Sequence, residues 1–240
     1  MSGLTALTFA YIYIPILIFL WGWTKPWIAG LCTMAILYSL YRFRTNTRTW
    51  IRKDTHIDIK VMIVVIIFFA VLGYIIGGGA FTQQAGDWYK HNSILLDLTW
   101  RDWPVYYRHG SEHSMLTYYI AMYLVPALVG KVVGSYRVAE IALYIWSLIG
   151  LLLVFLNTVR VLHLRRGVAQ LIAAFLICMF STPLYIAQMV NDIVYKSSML
   201  FSANWFSYSP QLQYSDNYTL LRWVVPQVLV LWLTVLLLIE

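Results

Sequence analysis

From Val61 to Ile76 the chain reads VMIVVIIFFAVLGYII, with no charged residue in it. A bilayer core about 30 Å thick takes roughly 20 apolar residues per helix, and about six or seven stretches of this chain approach that length. They are 7–24, 26–41, 59–79, 114–134, 138–157, 167–188 and 223–239. Composition agrees: the 240 residues are 61% hydrophobic and 11% charged, with a mean hydropathy of +0.70, whereas soluble domains carry about 25% charged residues. The expected fold is therefore all-α, a polytopic helical membrane protein. The first two segments and the last are short, so one of them is a candidate for a re-entrant or interfacial element. No Arg-led signal peptide with a small-residue cleavage site stands at the start, so the first segment is expected to be a retained helix.

The net charge of +7 does not point to nucleic acid, because the basic residues cluster in short loops, where they set topology. The loop YRFRTNTRTWIRKD carries Arg42, Arg44, Arg48, Arg52 and Lys53, with Lys60 behind it, and is expected to be cytoplasmic. The segment from Ile59 then crosses outward and leaves 80–113 external. Segment 114–134 is expected to return, delivering Lys131 and Arg137 to the cytoplasm. Simple counting then places the basic loop with Arg160, Arg165 and Arg166 outside. If one element between 114 and 188 enters without crossing, that loop becomes cytoplasmic and 189–222 external. The second arrangement is preferred, because it gathers both polar, aromatic-rich loops on one face. Cys32 and Cys178 lie within apolar segments and read as small core residues, with no disulfide or metal pair. Glu240 directly follows the apolar run Val230–Ile239, which suggests the N-terminal part of a longer protein.

The external stretch 87–103, DWYKHNSILLDLTWRDW, has the pattern of a helix lying in the membrane interface. At about 100° per residue, Asp87, Lys90, His91, Asp97, Arg101 and Asp102 project on one side. Trp88, Tyr89, Leu95, Leu96, Trp100 and Trp103 project on the other, although Ile94 and Leu98 fall on the polar side. Trp103-Pro104 is the expected stop. One reading is a solvated charged face pairing at i,i+3 and i,i+4. The other is an acidic base, Asp87, beside cations (Lys90, Arg101, Arg108) that neutralise a phosphorylated leaving group. His91 suits either a proton shuttle or an ordinary hydrogen-bonding role. RHGSEH places His109, Glu112 and His113 close together, but the Gly-containing order departs from the helical zinc motif.

DWYKHNSILLDL, then WPVYY, then TYYIAMYLVPALVGK together resemble the polytopic GT-C glycosyltransferases. The likeness is greatest to a bacterial group with a D-W-x-K-H-N signature after an early membrane helix. FSYSPQLQYSDNYTLLRWVVPQVLVLWL resembles that group's second signature, a Tyr-Ser-rich loop leading into W-V-P-Q. The resemblance covers 59–239 and divides the chain in two. Residues 1–58 form an N-terminal membrane hairpin with a basic cytoplasmic loop, and 59–240 form the GT-C-like module. It implies transfer of a sugar from a polyprenyl-phosphate carrier at the external face, with inversion and with Asp87 as catalytic base. It also implies phosphate or carrier contacts from Lys90, His91 and Arg222. Many members of that family carry a paired acidic motif, whereas here the next acid after Asp87 is Asp97.

The second polar loop, 189–222, holds Trp205, Tyr214, Asp216 and Arg222. Tyr and Trp there fit an aromatic belt. They fit equally a sugar or acceptor platform in which aromatic faces pack on sugar C–H surfaces while Asn92, Asp216 and Gln227 read hydroxyls beside Trp205 and Tyr214. The expected activity is a plasma-membrane, multi-pass glycosyltransferase with its active face external, acting on a cell-envelope acceptor. Its partners are a polyprenyl-phosphate-linked sugar, membrane lipids and further subunits. The alternatives are a non-catalytic transporter or flippase, or a scaffold subunit of an envelope-polysaccharide system. No tight metal site is evident, although a carboxylate-held Mg²⁺ or Mn²⁺ needs few ligands and leaves little trace in a sequence.

Overall fold

The computed structural model describes residues 3–46, 57–82, 84, 86–110, 112–180, 206–209, 212–214 and 216–239. Among them the chain is helical. In order come α1 (Gly3–Trp23), α2 (Pro26–Asn46), α3 (Ile59–Ile75), a 3-10 turn (Gly78–Ala80) and α4 (Trp88–Trp100). A hairpin of β1 (Tyr106–His109) and β2 (Glu112–Met115) precedes α5 (Ala121–Val133), α6 (Tyr136–Val161) and α7 (Gly167–Met179). A second hairpin of β3 (Phe206–Ser209) and β4 (Leu212–Tyr214) leads to α8 (Asn217–Trp223) and α9 (Val225–Ile239). Both hairpins are antiparallel, and neither was expected of an all-α chain.

Local chemistry sets the helix ends. Asp58 caps α3 by accepting from the Lys60 amide at 2.8 Å, and Asp216 caps α8 by accepting from the Thr219 amide at 2.7 Å; both relieve orphan N–H groups of a first turn. Gly134, at φ +71°, ends α5 in the left-handed conformation that glycine adopts without strain. Ser135 then caps α6.

α6 is the central post, touching α1, α3, α4, α5, α7 and α9. Its own Phe155 is fully buried, as are Phe69 of α3, Leu124 of α5 and Leu229 and Leu233 of α9. Two helices, α1 with 21 residues and α6 with 26, are long and apolar enough to cross a membrane. The apolar helices α3, α5, α7 and α9 are shorter, so among the described residues two of the six or seven expected spans reach full length. Much apolar surface nevertheless points outward: Trp27, Leu31, Met34, Tyr38 and Tyr41 form one exposed stripe on α2, which packs on α1.

The two ends of the helix stack differ in kind. At one, Phe9 meets Phe43, and Arg160 is buried in a clasp with Thr5 at 2.7 Å and Asn157 at 2.6 Å. Arg42, Arg44, Lys60, Arg165 and Arg166 belong to that end by chain position. At the other, Trp23 lies against Trp103 and Arg137 donates to the Gly79 carbonyl at 2.7 Å. α5 stays entirely at this second end. Its first turn brings Tyr123 to His91, and near its last turn Lys131 donates to the Arg101 carbonyl at 2.6 Å. The expectation that 114–134 carries Lys131 and Arg137 to the basic end is thus corrected. Thirteen residues span only about 20 Å at 1.5 Å each, and they run alongside α4. α5 does not run the length of the stack, so Arg160, Arg165 and Arg166 fall at the same end as Arg42, Arg44 and Lys60.

The α5–α6 corner depends on Gly130. A Cβ there would lie 2.6 Å from the Ala139 Cβ and 3.0 Å from the Ser135 carbonyl oxygen. Gly130→Ala is expected to cost about 1–3 kcal/mol through overpacking, whereas Gly3→Ala, with nothing within 4 Å, leaves stability unchanged. Thermal unfolding in detergent checks this, and equal melting points for both variants would contradict the packing described.

Candidate functional site

Where α3 stops, three glycines turn the chain, with Gly77 at φ +97° and Gly79 at φ +68°. The turn leaves carbonyls without helical partners, and the following motif satisfies them. Trp88 donates its indole N–H to the Ile76 carbonyl at 2.8 Å. Gln84 donates to the Gly77 carbonyl at 2.6 Å and is itself held by the Asn92 amide at 2.6 Å. Tyr136 in turn donates to the Asn92 carbonyl at 3.3 Å. Asn92, expected as an acceptor or sugar contact, has its side-chain amide committed to this staple.

His91 is also turned inward and is 5% exposed. Its Nε2 lies 3.0 Å from the Trp223 carbonyl. A carbonyl only accepts, so Nε2 carries the proton and Nδ1 is left to accept the Tyr123 hydroxyl. Burial pushes the imidazole below its usual pKa, and nearby Lys90 lowers it further. The buried stripe of α4 is Trp88, His91, Ile94, Leu95, Leu98 and Thr99, an i, i+3, i+4, i+7 pattern. Tyr89, Leu96 and Trp100 are exposed. This corrects the expected division, which put His91 among the solvent-facing charges and the aromatics together on one greasy side. The helix also ends at Trp100, before the Trp103-Pro104 stop.

Asp87 and Lys90 are the acid and the base of the motif that face outward. Lys90 Nζ lies 3.1 Å from Asp87 Oδ2, with side chains 42% and 35% exposed. The ammonium also sits 5.3 Å from the centre of the Tyr118 ring, and its pKa is raised by the Tyr118 hydroxyl and by Asp87. Farther along α4, Asp97 accepts from Arg101 Nε at 2.7 Å and from the Tyr107 hydroxyl at 2.6 Å. This joins α4 to β1 and, with burial as the larger cause, pushes the Tyr107 phenol up to about 12. Arg101 is therefore already paired, while the exposed Arg108 stands on β1 opposite His113.

Arg222 lines a mainly apolar cavity with Trp88, His91 and Tyr123, and it is hydrogen-bonded to Tyr218. Asp216, expected to read sugar hydroxyls, is buried as the cap of α8. Gln227 is exposed on α9 beside a groove shared with Phe19, Tyr118 and Tyr119. Tyr214 lies in β4 opposite Phe206, and Trp205 lies outside the described residues. The structure thus brings Asp87, Lys90 and Tyr118 together, and Arg222 lines one cavity with Trp88 and His91 of α4. Tyr118, Tyr123 and the Trp223 carbonyl were not foreseen from the sequence. Among the described residues no three His, Cys, Asp or Glu side chains group as a metal site.

No protein-family model matches this chain, and no curated protein or solved structure is significantly similar to it.

If Trp88 is a staple, Trp88→Phe leaves the Ile76 carbonyl buried and unbonded, at about 1–3 kcal/mol. Lys90→Ala removes only a half-exposed pair of the kind that contributes little. Melting points in detergent should fall for the first and barely move for the second; the reverse order would contradict the assignment.

Proposed function

We propose that this chain is a multi-pass protein of the plasma membrane and a GT-C-type inverting glycosyltransferase, moving a sugar from a polyprenyl-phosphate donor to a cell-envelope acceptor at the external face. The membrane part is supported by α1 and α6, each long and apolar enough to span. It is supported too by the outward apolar stripes, which would be an aggregation liability in water. The basic residues at one end give the orientation, since such loops face the cytoplasm.

The single observation that carries the enzymatic reading is the outward Asp87–Lys90 pair, set beside Trp88, His91 and Asn92, whose side chains are committed to the fold. Charges kept at the mouth of an apolar stack are costly without a role. In the proposed reaction the Asp87 carboxylate takes the acceptor hydroxyl's proton as that oxygen bonds to the anomeric carbon. The bond from that carbon to the phosphate oxygen breaks, and the phosphate departs with the electron pair. Lys90 neutralises it as it leaves, with Arg222 at the adjoining cavity and Arg108 on the hairpin as further cations. Arg101 acts less directly, through Asp97. A transport role would call for ionisable groups along broken helices at mid-depth; Asp216 and Arg160, both buried, are here engaged in a helix cap and an interhelical clasp.

Asp87→Asn is expected to abolish transfer from a polyprenyl-phosphate sugar in membranes, with expression and melting point intact. Lys90→Ala should slow it by about 10²-fold or more, the scale of losing one charge-stabilising donor. Undiminished transfer by the Asp87→Asn protein would overturn the assignment.

A further inference from the structure

We infer that the groove between α1 and α9 seats one lipid chain, that of a single-chain lipid phosphate whose head comes to Lys90. The inference deepens the proposed reaction and rests on its reading of the donor as a lipid phosphate. What it adds is the place of the chain and the residues that select it.

The groove holds about 530 Å³. Its walls are Phe19 of α1, Tyr118, Tyr119 and Met122 on the way into α5, and Val230 and Leu231 of α9. No Asp, Glu, Lys, Arg or His lines it. A smaller space of about 150 Å³ shares Ala121, Met122, Pro226 and Val230 with it and continues inward to Tyr11 and Trp146. Along α9 the wall rises about 10 Å from Gln227 to Thr234. Thr234 turns its hydroxyl back to the Val230 carbonyl at 2.8 Å, so this lower part presents hydrocarbon to an occupant.

The upper end differs in kind. The Lys90 ammonium sits 5.3 Å from the centre of the Tyr118 ring, and Tyr119 and Gln227 are exposed on the same groove. An ammonium has three N–H donors, so the contact with Asp87 at 3.1 Å does not exhaust it. A cation above an uncharged, apolar groove is the complement of an amphiphile with an anionic head. One groove takes one chain, and a diacyl lipid would leave its second chain on the outer ridge of Val235 and Leu238, both exposed. The cavity beside Arg222 cannot serve instead, because its space of about 40 Å³ is room for a few waters.

The test uses the full chain in phosphatidylcholine nanodiscs, with a benzophenone-tagged farnesyl phosphate as probe. Photocrosslinks are expected in 118–122 and 227–234. Unlabelled farnesyl phosphate should displace the probe at least about tenfold better than phosphatidic acid, which carries the same head on two chains. Val230→Trp and Ala121→Phe fill the groove from different walls. Both positions are exposed, so melting points should hold while crosslinking falls by about tenfold or more. Lys90→Ala should weaken binding by about tenfold, the scale of one charge-assisted hydrogen bond. Asp87→Asn removes a like charge from beside the head and should bind the probe at least as well while losing transfer. A fault in the assigned reaction and a fault in the assigned seat are thereby read separately. Crosslinks confined to other segments, equal displacement by phosphatidic acid, or undiminished crosslinking in both wall variants would overturn the seat.

Discussion

A helix that stops inside an apolar stack leaves carbonyl oxygens where there is no water to meet them, and each one unbonded costs several kcal/mol in hydrocarbon. α3 stops in that way at a run of three glycines, and much of the loop-bearing end is organised by the need to satisfy what it leaves. Trp88 takes the Ile76 carbonyl, Gln84 takes that of Gly77, and Arg137 takes that of Gly79. Those three bonds fix where α4 begins and where α6 starts its descent. With Trp88, His91 and Asn92 turned inward, Asp87 and Lys90 are left on the outer side of the same turns, where a substrate can reach them.

α5 follows from the same arrangement. It lies along α4 between the His91–Tyr123 contact and the Lys131–Arg101 bond, with Gly130 letting it close on Ala139 of α6. Because its 13 residues never leave the loop end, α6 is the element that makes the next full passage. The consequence is electrostatic. Among the described residues Arg42, Arg44, Lys60, Arg160, Arg165 and Arg166 come to one end, with Asp58 beside Lys60, and the acids Asp87, Asp97, Glu112 and Glu140 come to the other. A chain that carried α5 through would instead have separated the two polar loops.

The helical class and the special status of the DWYKHN stretch were legible in the residues, since apolar run length and a cluster of charges beyond it are local signals. That one element between 114 and 188 does not run the length of the stack was weighed from the basic loops, but not which element it is. A periodicity count treats 114–134 as one apolar segment; nothing local reveals that Glu112–Met115 pairs back with β1 and delays the helix until Ala121. The inward turn of His91 escaped for a similar reason. On a helical wheel its polarity placed it with Asp87 and Lys90, and its true neighbours, Tyr123 and the Trp223 carbonyl, lie 32 and 132 residues away. The pairing of Arg101 with Asp97 at i,i+4 was one of the two readings of this stretch and is present; Tyr107, which bonds Asp97 and faces Arg101, was not foreseen. Long-range partners decided the cases of α5 and His91.

The central claim, that α5 does not pass through and that the Asp87–Lys90 site shares one face with the second polar loop, is tested most directly by cysteine accessibility in intact cells. On a background lacking Cys32 and Cys178, single cysteines would replace Lys131, Arg108, Ser209 and Arg165, and an impermeant maleimide would be added from outside. The account predicts labelling at 131, 108 and 209, with 165 reacting only after permeabilisation. Labelling of 131 together with 165, and apart from 108, would mean that α5 crosses and would contradict the architecture on which the site is built.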